Sequence, residues 1–245
     1  MNTPHSVQLY TVREALAADL PGTLERLVAL GFRRVEPYDL VAFGPRLASA
    51  LAAAGLAAPT AHQGVIGREL GPILDAAAAA GVGTVIDPYA ALERFASIDQ
   101  VAAVADALNE AAGLAASSDI RIGYHNHAHE LATELDGMSA LERLAERLDP
   151  AVVLEVDTYW AAVGGVDPVA LLERLGARVV ALHLKDGPFT PETLDQVALG
   201  QGRLPVAAIL AAAPHALRVL ELDDTRGDRF DALGVGLAYL ELVDA

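Results

Sequence analysis

The sequence predicts an α/β protein, most simply a (β/α)8 TIM barrel forming a single domain over residues 1–245, on three observations. Eight short β-prone runs alternate with eight alanine- and leucine-rich stretches of helical spacing. The 245 residues shared among eight units give about 31 per unit, the size of one βαβ step. Finally, runs such as AVVLEVD and RVVALHL are nearly continuous in apolar residues. Parallel strands covered by helices on their outer face read that way.

The first run is Ser6–Tyr10, and the helix after it carries Leu24, Leu27 and Val28 between Pro21-Gly22 and Gly31. Arg34–Glu36 follows. Residues 47–67 then contain no charged side chain, enough on paper to cross a bilayer. Gly55, Pro59, Gln63 and Gly64 interrupt that stretch, so it reads as a helix, a loop and a strand at Ala58–His62. Next come Thr84–Asp87, a helix with Val101, Val104 and Leu108, and the run Ile120–Asn126. A helix with Leu141, Leu144 and Leu148 leads to Val152–Asp157. Asp167-Pro168 looks like an N-cap followed by proline at the first helical position, ahead of Leu171, Leu172 and Leu175. Val179–Leu184 and Arg218–Leu222 complete the strands, and a last helix around Leu237, Leu240 and Val243 is expected on the barrel wall. A doubly wound open sheet is disfavoured because TVREALAADLPG, not G-x-G-x-x-G, follows the first strand.

Composition narrows the partners. With 17 Lys+Arg against 33 Asp+Glu the formal net charge is −16, a poor balance for binding nucleic acid or an anionic membrane surface. Cysteine is absent, which removes disulfides, zinc-thiolate sites and cysteine nucleophiles. The opening MNTPHSVQLYTVRE has no basic start followed by an apolar run, so a cytoplasmic protein is expected. Alanine-rich helices are compatible with a homodimer without demanding one.

The chemistry lies in the strand ends. Read in order they are Tyr10, Glu36, His62, Asp87, His125 with His127, Asp157, His183 and Glu221. In a parallel barrel the carboxyl ends of all strands open on one face, where active sites are built. Any one of these residues alone is ordinarily an N-cap or a hydrogen-bonded filler. As a set they are expected to converge. Side chains alternate along a strand, so Asp157 shares a face with Val153 and Glu155, and His183 with Val179 and Ala181. Asp157, His183 and Glu221 thus stand at similar depth on three consecutive strands. Two carboxylates and an imidazole meeting there call for a cation, most economically a divalent metal. Glu155, mid-strand in an apolar run, needs a partner, with Lys185 or a supporting role both open.

At LEVDTYW, ALHLKD, GQG and VLELD the chain resembles the xylose-isomerase-like TIM-barrel superfamily of sugar (phosphate) isomerases and epimerases. SVQLYTVR, GFRRVE and IGYHNHAHEL are similar to a subgroup carrying a Tyr-His-Asn-His motif. The resemblance runs end to end, and it implies metal ligands on strands five to eight as Glu, Asp, His and Glu. Asp157, His183 and Glu221 match the last three. At the first, many relatives read Glu-Asn-His where this chain has His125-Asn126-His127, with Glu130 farther into the loop. His125 therefore stands at the ligand position, either as fourth ligand or facing substrate. A mixed nitrogen and oxygen set suits Mn2+, Zn2+, Co2+ or Fe2+ better than Mg2+ or Ca2+.

The mechanism implied by the resemblance is removal of a proton from the carbon next to a metal-chelated carbonyl of a small carbohydrate, through an enediolate. Glu221 is the expected base and His125 a second acid–base group. His62, Lys185, Glu36, His127 and Glu155 are expected around the substrate. Replacing one of two glutamates by an imidazole favours a base opposite an acid, which suits aldose–ketose isomerisation, or elimination from a keto-sugar or keto-inositol. Three other functions weigh less. An apurinic-site endonuclease needs a basic face; a sugar-binding barrel without catalysis would have lost its ligand set; a dehydrogenase needs a dinucleotide loop. The glycines of LGQGRLP, with Arg203, are expected at the substrate mouth.

Overall fold

The computed structural model describes residues 5–244. Eight parallel strands form one ring: β1 Ser6–Gln8, β2 Arg34–Glu36, β3 Thr60–His62, β4 Thr84–Asp87, β5 Arg121–His125, β6 Val153–Asp157, β7 Val179–Leu184 and β8 Leu217–Leu220. Seven neighbouring pairs are parallel ladders, the one between β6 and β7 shifting register between Leu154 and Glu155. The eighth seam, β2 to β3, closes through isolated bridges, with Val35 N–H donating to Ala57 O at 2.9 Å and His62 N–H to Pro37 O at 2.8 Å. The predicted barrel is the observed one.

A helix covers the outside of the ring after each strand: α1 Leu20–Leu30, α2 Pro45–Ala54, α3 Leu70–Ala80, α4 Ile98–Ala115, α5 Ala140–Arg147, α6 Pro168–Leu175, α7 Val206–Ala212 and α8 Arg229–Val243. Local chemistry sets their ends. Asp19, Ser97, Ser139, Asp167 and Asp228 accept backbone N–H groups at the first turns. The first three wall helices end on Gly31, Gly55 and Gly81 in the left-handed region, where a side chain would be strained. Asp167-Pro168 caps as predicted. Pro21, expected ahead of the first helix, lies inside its first turn, because the Asp19 carboxylate starts the helix two residues earlier. Among the described residues no helix is long and apolar enough to cross a membrane, and residues 47–67 divide into helix, loop and strand.

The apolar core is the annulus between strands and helices. Leu24 and Leu27 of α1, Val101, Val104 and Leu108 of α4, Leu171 and Leu172 of α6, and Leu237 and Leu240 of α8 are all buried there. The barrel axis differs, because towards the carboxyl ends of the strands its filling is polar. Gln8, Glu36, His125, Glu155, Asp157 and His183 are buried. Register aligns them: Gln8 pairs with Glu36, His125 with Glu155, and Asp157 with His183.

Three predicted strands are shorter than expected at their active end. The first stops at Gln8, and Leu9–Val12 forms a 3-10 turn because the Gln8 side chain accepts the Tyr10 N–H at 3.1 Å. Tyr10 is therefore on an exposed turn, not a strand. The fifth ends at His125 and the eighth at Leu220, although Glu221 N–H still donates to Leu184 O at 3.1 Å. The LGQGRLP loop does not reach the mouth. It folds over the buried Asp186, whose carboxylate accepts N–H groups of Gly187 (2.9 Å), Leu204 (2.9 Å) and Gly200 (3.1 Å). Gly202 packs so closely that a Cβ there would fall 2.2 Å from Asp186 Oδ1. Asp186→Ala, which leaves three donors without their acceptor, is expected to destabilise the protein by roughly 3 kcal/mol. A urea-denaturation midpoint measures it, and a loss under about 0.5 kcal/mol would show that the loop does not depend on this carboxylate.

Candidate active site at the carboxyl end of the barrel

Residues following six of the strands enclose a cavity of about 350 Å3, within the range of small-molecule sites. Its wall includes Tyr10, Tyr38, His62, Tyr89, His125, His127, Glu221 and Asp223. Tyr38 sits edge-on between Tyr10 and Phe43, and Tyr89 edge-on to His127. Of the residues expected around a substrate, His62 and His127 are on this wall. Glu36, Glu155 and Lys185 are not among its lining residues; they lie buried, the two glutamates against the imidazoles and Lys185 against other carboxylates.

Two clusters meet at His183. Its Nδ1 is 2.8 Å from Glu221 Oε2, while its Nε2 is 2.7 Å from Glu36 Oε1 and 3.1 Å from Glu155 Oε2. On the Nδ1 side, donor atoms of Asp157, His183 and Glu221 all lie within 4.8 Å of one another. Asp157 divides its carboxylate: Oδ1 caps Trp160 N–H at 2.8 Å, and Oδ2 turns to the site. His125 stands alongside, with Nε2 3.9 Å from Asp157 Oδ2. On the Nε2 side, Glu155 Oε2 lies 2.6 Å from His62 Nε2 and 3.2 Å from His125 Nδ1. Gln8 Nε2 donates to Glu36 Oε1 at 2.8 Å and holds that carboxylate in place. Glu155 thus partners three histidines and not Lys185.

The intervening Asn126 is a clamp. Its Oδ1 accepts the Asp157 N–H at 3.0 Å and its Nδ2 donates to Asp157 O at 3.3 Å, tying the end of β5 to the end of β6. Glu130 is buried and accepts from Tyr124 Oη (2.7 Å) and His127 N–H (2.8 Å), so it shapes the loop. Asp87 likewise serves the backbone, accepting from Val65, Ile66 and Tyr89.

Sequence reasoning overlooked one group. Asp223 lines the cavity and is held by Gln196, which donates from Nε2 and accepts the Asp223 N–H, both at 2.8 Å. The position two residues past Glu221 was the available signal, since strand alternation continues the same face. Lys185 was placed against substrate, yet its Nζ lies 2.8 Å from Asp223 Oδ2 and from Asp157 Oδ2, the latter an ion pair poorly angled for a hydrogen bond, and in contact with Glu221 Oε2.

Electrostatics follow from three carboxylates around one ammonium and two more around the imidazoles. Burial works against the Lys185 charge, but Asp157, Asp223 and Glu221 outweigh it and raise the ammonium well above the usual range. Burial also disfavours the Glu221 carboxylate, yet Lys185 and His183 pull it well below. Asp157 is pushed up to about 6, chiefly by burial, in spite of Lys185. The His183 imidazolium is disfavoured by burial but favoured more strongly by Glu155 and Glu221. His125 moves well below its ordinary value through burial and the charges of His183 and His62, and His127 falls to about 4 through burial and Lys185. Both are neutral at pH 7.

The chemistry of the donors fits a divalent cation. Glu36 Oε2, His125 Nδ1, Glu155 Oε1 and Asp157 Oδ2 are buried without a hydrogen-bond partner. Asp157, His183 and Glu221 offer a mixed nitrogen and oxygen set that could hold an ion, and Glu36 and Glu155 stand behind the imidazoles, where outer carboxylates would orient histidine ligands.

Comparison with known proteins agrees with this architecture. A family profile described as Xylose isomerase-like TIM barrel matches residues 24–217. An inosose dehydratase of Geobacillus kaustophilus is 39% identical over 82 residues, 33% of this chain; the matched part is 26% of that protein, so the chain covers about a quarter of its curated relative. A sugar phosphate isomerase/epimerase from Parabacteroides distasonis superposes with a TM-score of 0.85 at 24% identity, covering 100% of this chain and 95% of that one. The IOLI protein, solved with a bound zinc atom, superposes with a TM-score of 0.73 at 14% identity over 99% of this chain and 98% of its own. At these identities both likenesses are of fold.

The two outer carboxylates carry opposite pH signatures in metal-free protein. Burial raises Glu36, but His62 and His183 outweigh it and bring it down to about 2 from an ordinary 4.5. It therefore stabilises the fold above pH 4.5, and that contribution is lost as pH falls towards 2. Burial and the charge of Glu36 push Glu155 up to about 7. Its folded form keeps a proton that the unfolded chain releases above 4.5, so stability is lost as pH rises from 4.5 through 7. Denaturation in chelator is expected to show Glu36→Gln costing more at pH 7 than at pH 3, and Glu155→Gln costing less at pH 8 than at pH 5. Equal costs across pH would show that neither carboxylate is perturbed as described.

Proposed function

Since the chain belongs to the xylose isomerase-like TIM barrel family, we propose that it is a metal-dependent isomerase or epimerase of a small carbohydrate, working by removal of the proton next to a carbonyl. The observation that carries this reading is the convergence of Asp157, His183 and Glu221 within 4.8 Å, beside a cavity of about 350 Å3. Those three residues, with His125 on a fourth side, would hold a divalent ion; a bound ion would supply Lewis-acid polarisation of the substrate carbonyl.

The chain's own groups do the rest. Glu221 is the carboxylate placed both in the donor cluster and on the cavity wall, and its contact with Lys185 keeps it ionised. His125 and His127, neutral and on the same wall, can hydrogen-bond substrate hydroxyls in either direction. His62, backed by Glu155 at 2.6 Å, presents an oriented imidazole. Tyr38 and Tyr89 give the cavity apolar faces suited to the C–H faces of a sugar ring. With one such carboxylate facing imidazoles, the simplest proton path is removal by Glu221 and return to the neighbouring carbon, an aldose–ketose exchange.

Elimination of water from a keto-sugar or keto-inositol is the second reading. It is favoured by the likeness to inosose dehydratase and by the imidazoles, which can attend a departing hydroxyl. The two share the first step and separate at the product.

Addition of Mn2+ or Zn2+ at about a hundred times its dissociation constant should stabilise the protein by about 2.7 kcal/mol, a rise in melting midpoint of roughly 5–10 °C for a chain of this size. Asp157→Ala should abolish that rise. In deuterated water, proton NMR on a panel of ketoses and inososes should show exchange at the carbon next to the carbonyl, together with isomer or dehydrated product. Glu221→Gln should slow it about 10²- to 10⁴-fold. Absence of both the midpoint shift and the exchange would end the metal-dependent reading.

A further inference from the structure

Of the 17 basic side chains, Lys185 is the one lysine. It is also deeply buried, with 1% of its surface exposed. Its Nζ touches Asp157 Oδ2 and Glu221 Oε2, two of the three groups whose donor atoms converge with His183. An ammonium therefore already stands where a divalent ion would stand. Both cannot hold the same carboxylate oxygens at once in a buried setting, since like charges repel strongly at short range.

Lys185 has a second seat. Asp223 Oδ2 lies 2.8 Å from Nζ on the cavity side, and Gln196 fixes that carboxylate from behind. The Trp160 ring centroid is 5.7 Å from Nζ, within cation–π range. A lysine suits such a double role better than an arginine. Its charge is a compact point on a flexible stem, whereas a guanidinium fork locks onto carboxylates in a fixed plane.

We propose that Lys185 is the resident cation of the metal-free site, that it competes with a divalent ion for Asp157 and Glu221, and that it withdraws onto Asp223 and the face of Trp160 when the ion enters. This rests on the metal-binding reading above. It makes Lys185 the residue that sets metal affinity.

The test is Zn2+ binding by calorimetry, with no substrate, on wild type, Lys185→Met, Lys185→Gln and Asp157→Ala. Removing the competitor should tighten Zn2+ binding about tenfold or more in both lysine variants. Wild-type protein labelled with 15N-lysine should give one side-chain ammonium signal, which shifts on saturation with Zn2+; this arm needs no variant to fold. Unchanged or weaker affinity in the lysine variants, or an ammonium signal unmoved at saturation, overturns the proposal while wild-type binding that Asp157→Ala abolishes leaves the metal site standing. Failure of wild type and lysine variants alike to bind Zn2+ overturns the metal-site reading itself.

Discussion

Charge balance inside a closed barrel is the constraint on which this site depends. Glu36, Glu155, Asp157 and Glu221 are buried, and Asp223 is half-buried beside them. A carboxylate taken out of water without a partner is costly enough that it would sooner take up a proton. Here each has a cationic or hydrogen-bonding neighbour: His62 and His183 for Glu36 and Glu155, and Lys185 for Asp157, Glu221 and Asp223. Remove the cations and the polar axis would no longer be tolerable.

The scaffold makes that balance possible by separating two tasks. Leucine and alanine packing between strands and helices supplies stability in the annulus. The axis is then free to carry groups chosen for chemistry, held rigidly because they project from strands whose register is set by backbone ladders. Loop devices finish the arrangement. Asn126 fastens β5 to β6, Gln196 fastens Asp223, and Asp186 gathers the loop after β7. Each works through backbone N–H groups, so the positions of the reactive side chains do not rely on flexible contacts.

Much of this was legible in the chain. Strand bodies such as Val179–Leu184 and helix ends such as Gly31 and Asp167 announce themselves because they are governed by local sterics and capping. The convergence of Asp157, His183 and Glu221 could be reasoned from two-residue alternation on adjacent parallel strands. The ends of the first and eighth strands could not, since a side chain, Gln8, turns the backbone at one of them. Nor could the LGQGRLP loop, whose course is set by Asp186, fourteen residues before Gly200. A lone lysine among arginines was a signal in plain sight, and its position after a strand histidine pointed to substrate instead of to carboxylates on two other strands.

The sequence by itself determined the barrel, the order of its units, and the inward-facing set at the strand ends, because these follow from periodicities of two and about four residues along one chain. Only the tertiary structure decided who partners whom. Glu155 went to His62, His125 and His183, and Lys185 to Asp157, Glu221 and Asp223, since ring closure brings together strands far apart in sequence. The physical reason is that pairing at the axis depends on distances of about 3 Å between side chains from different strands. Spacing along the chain carries no record of those distances.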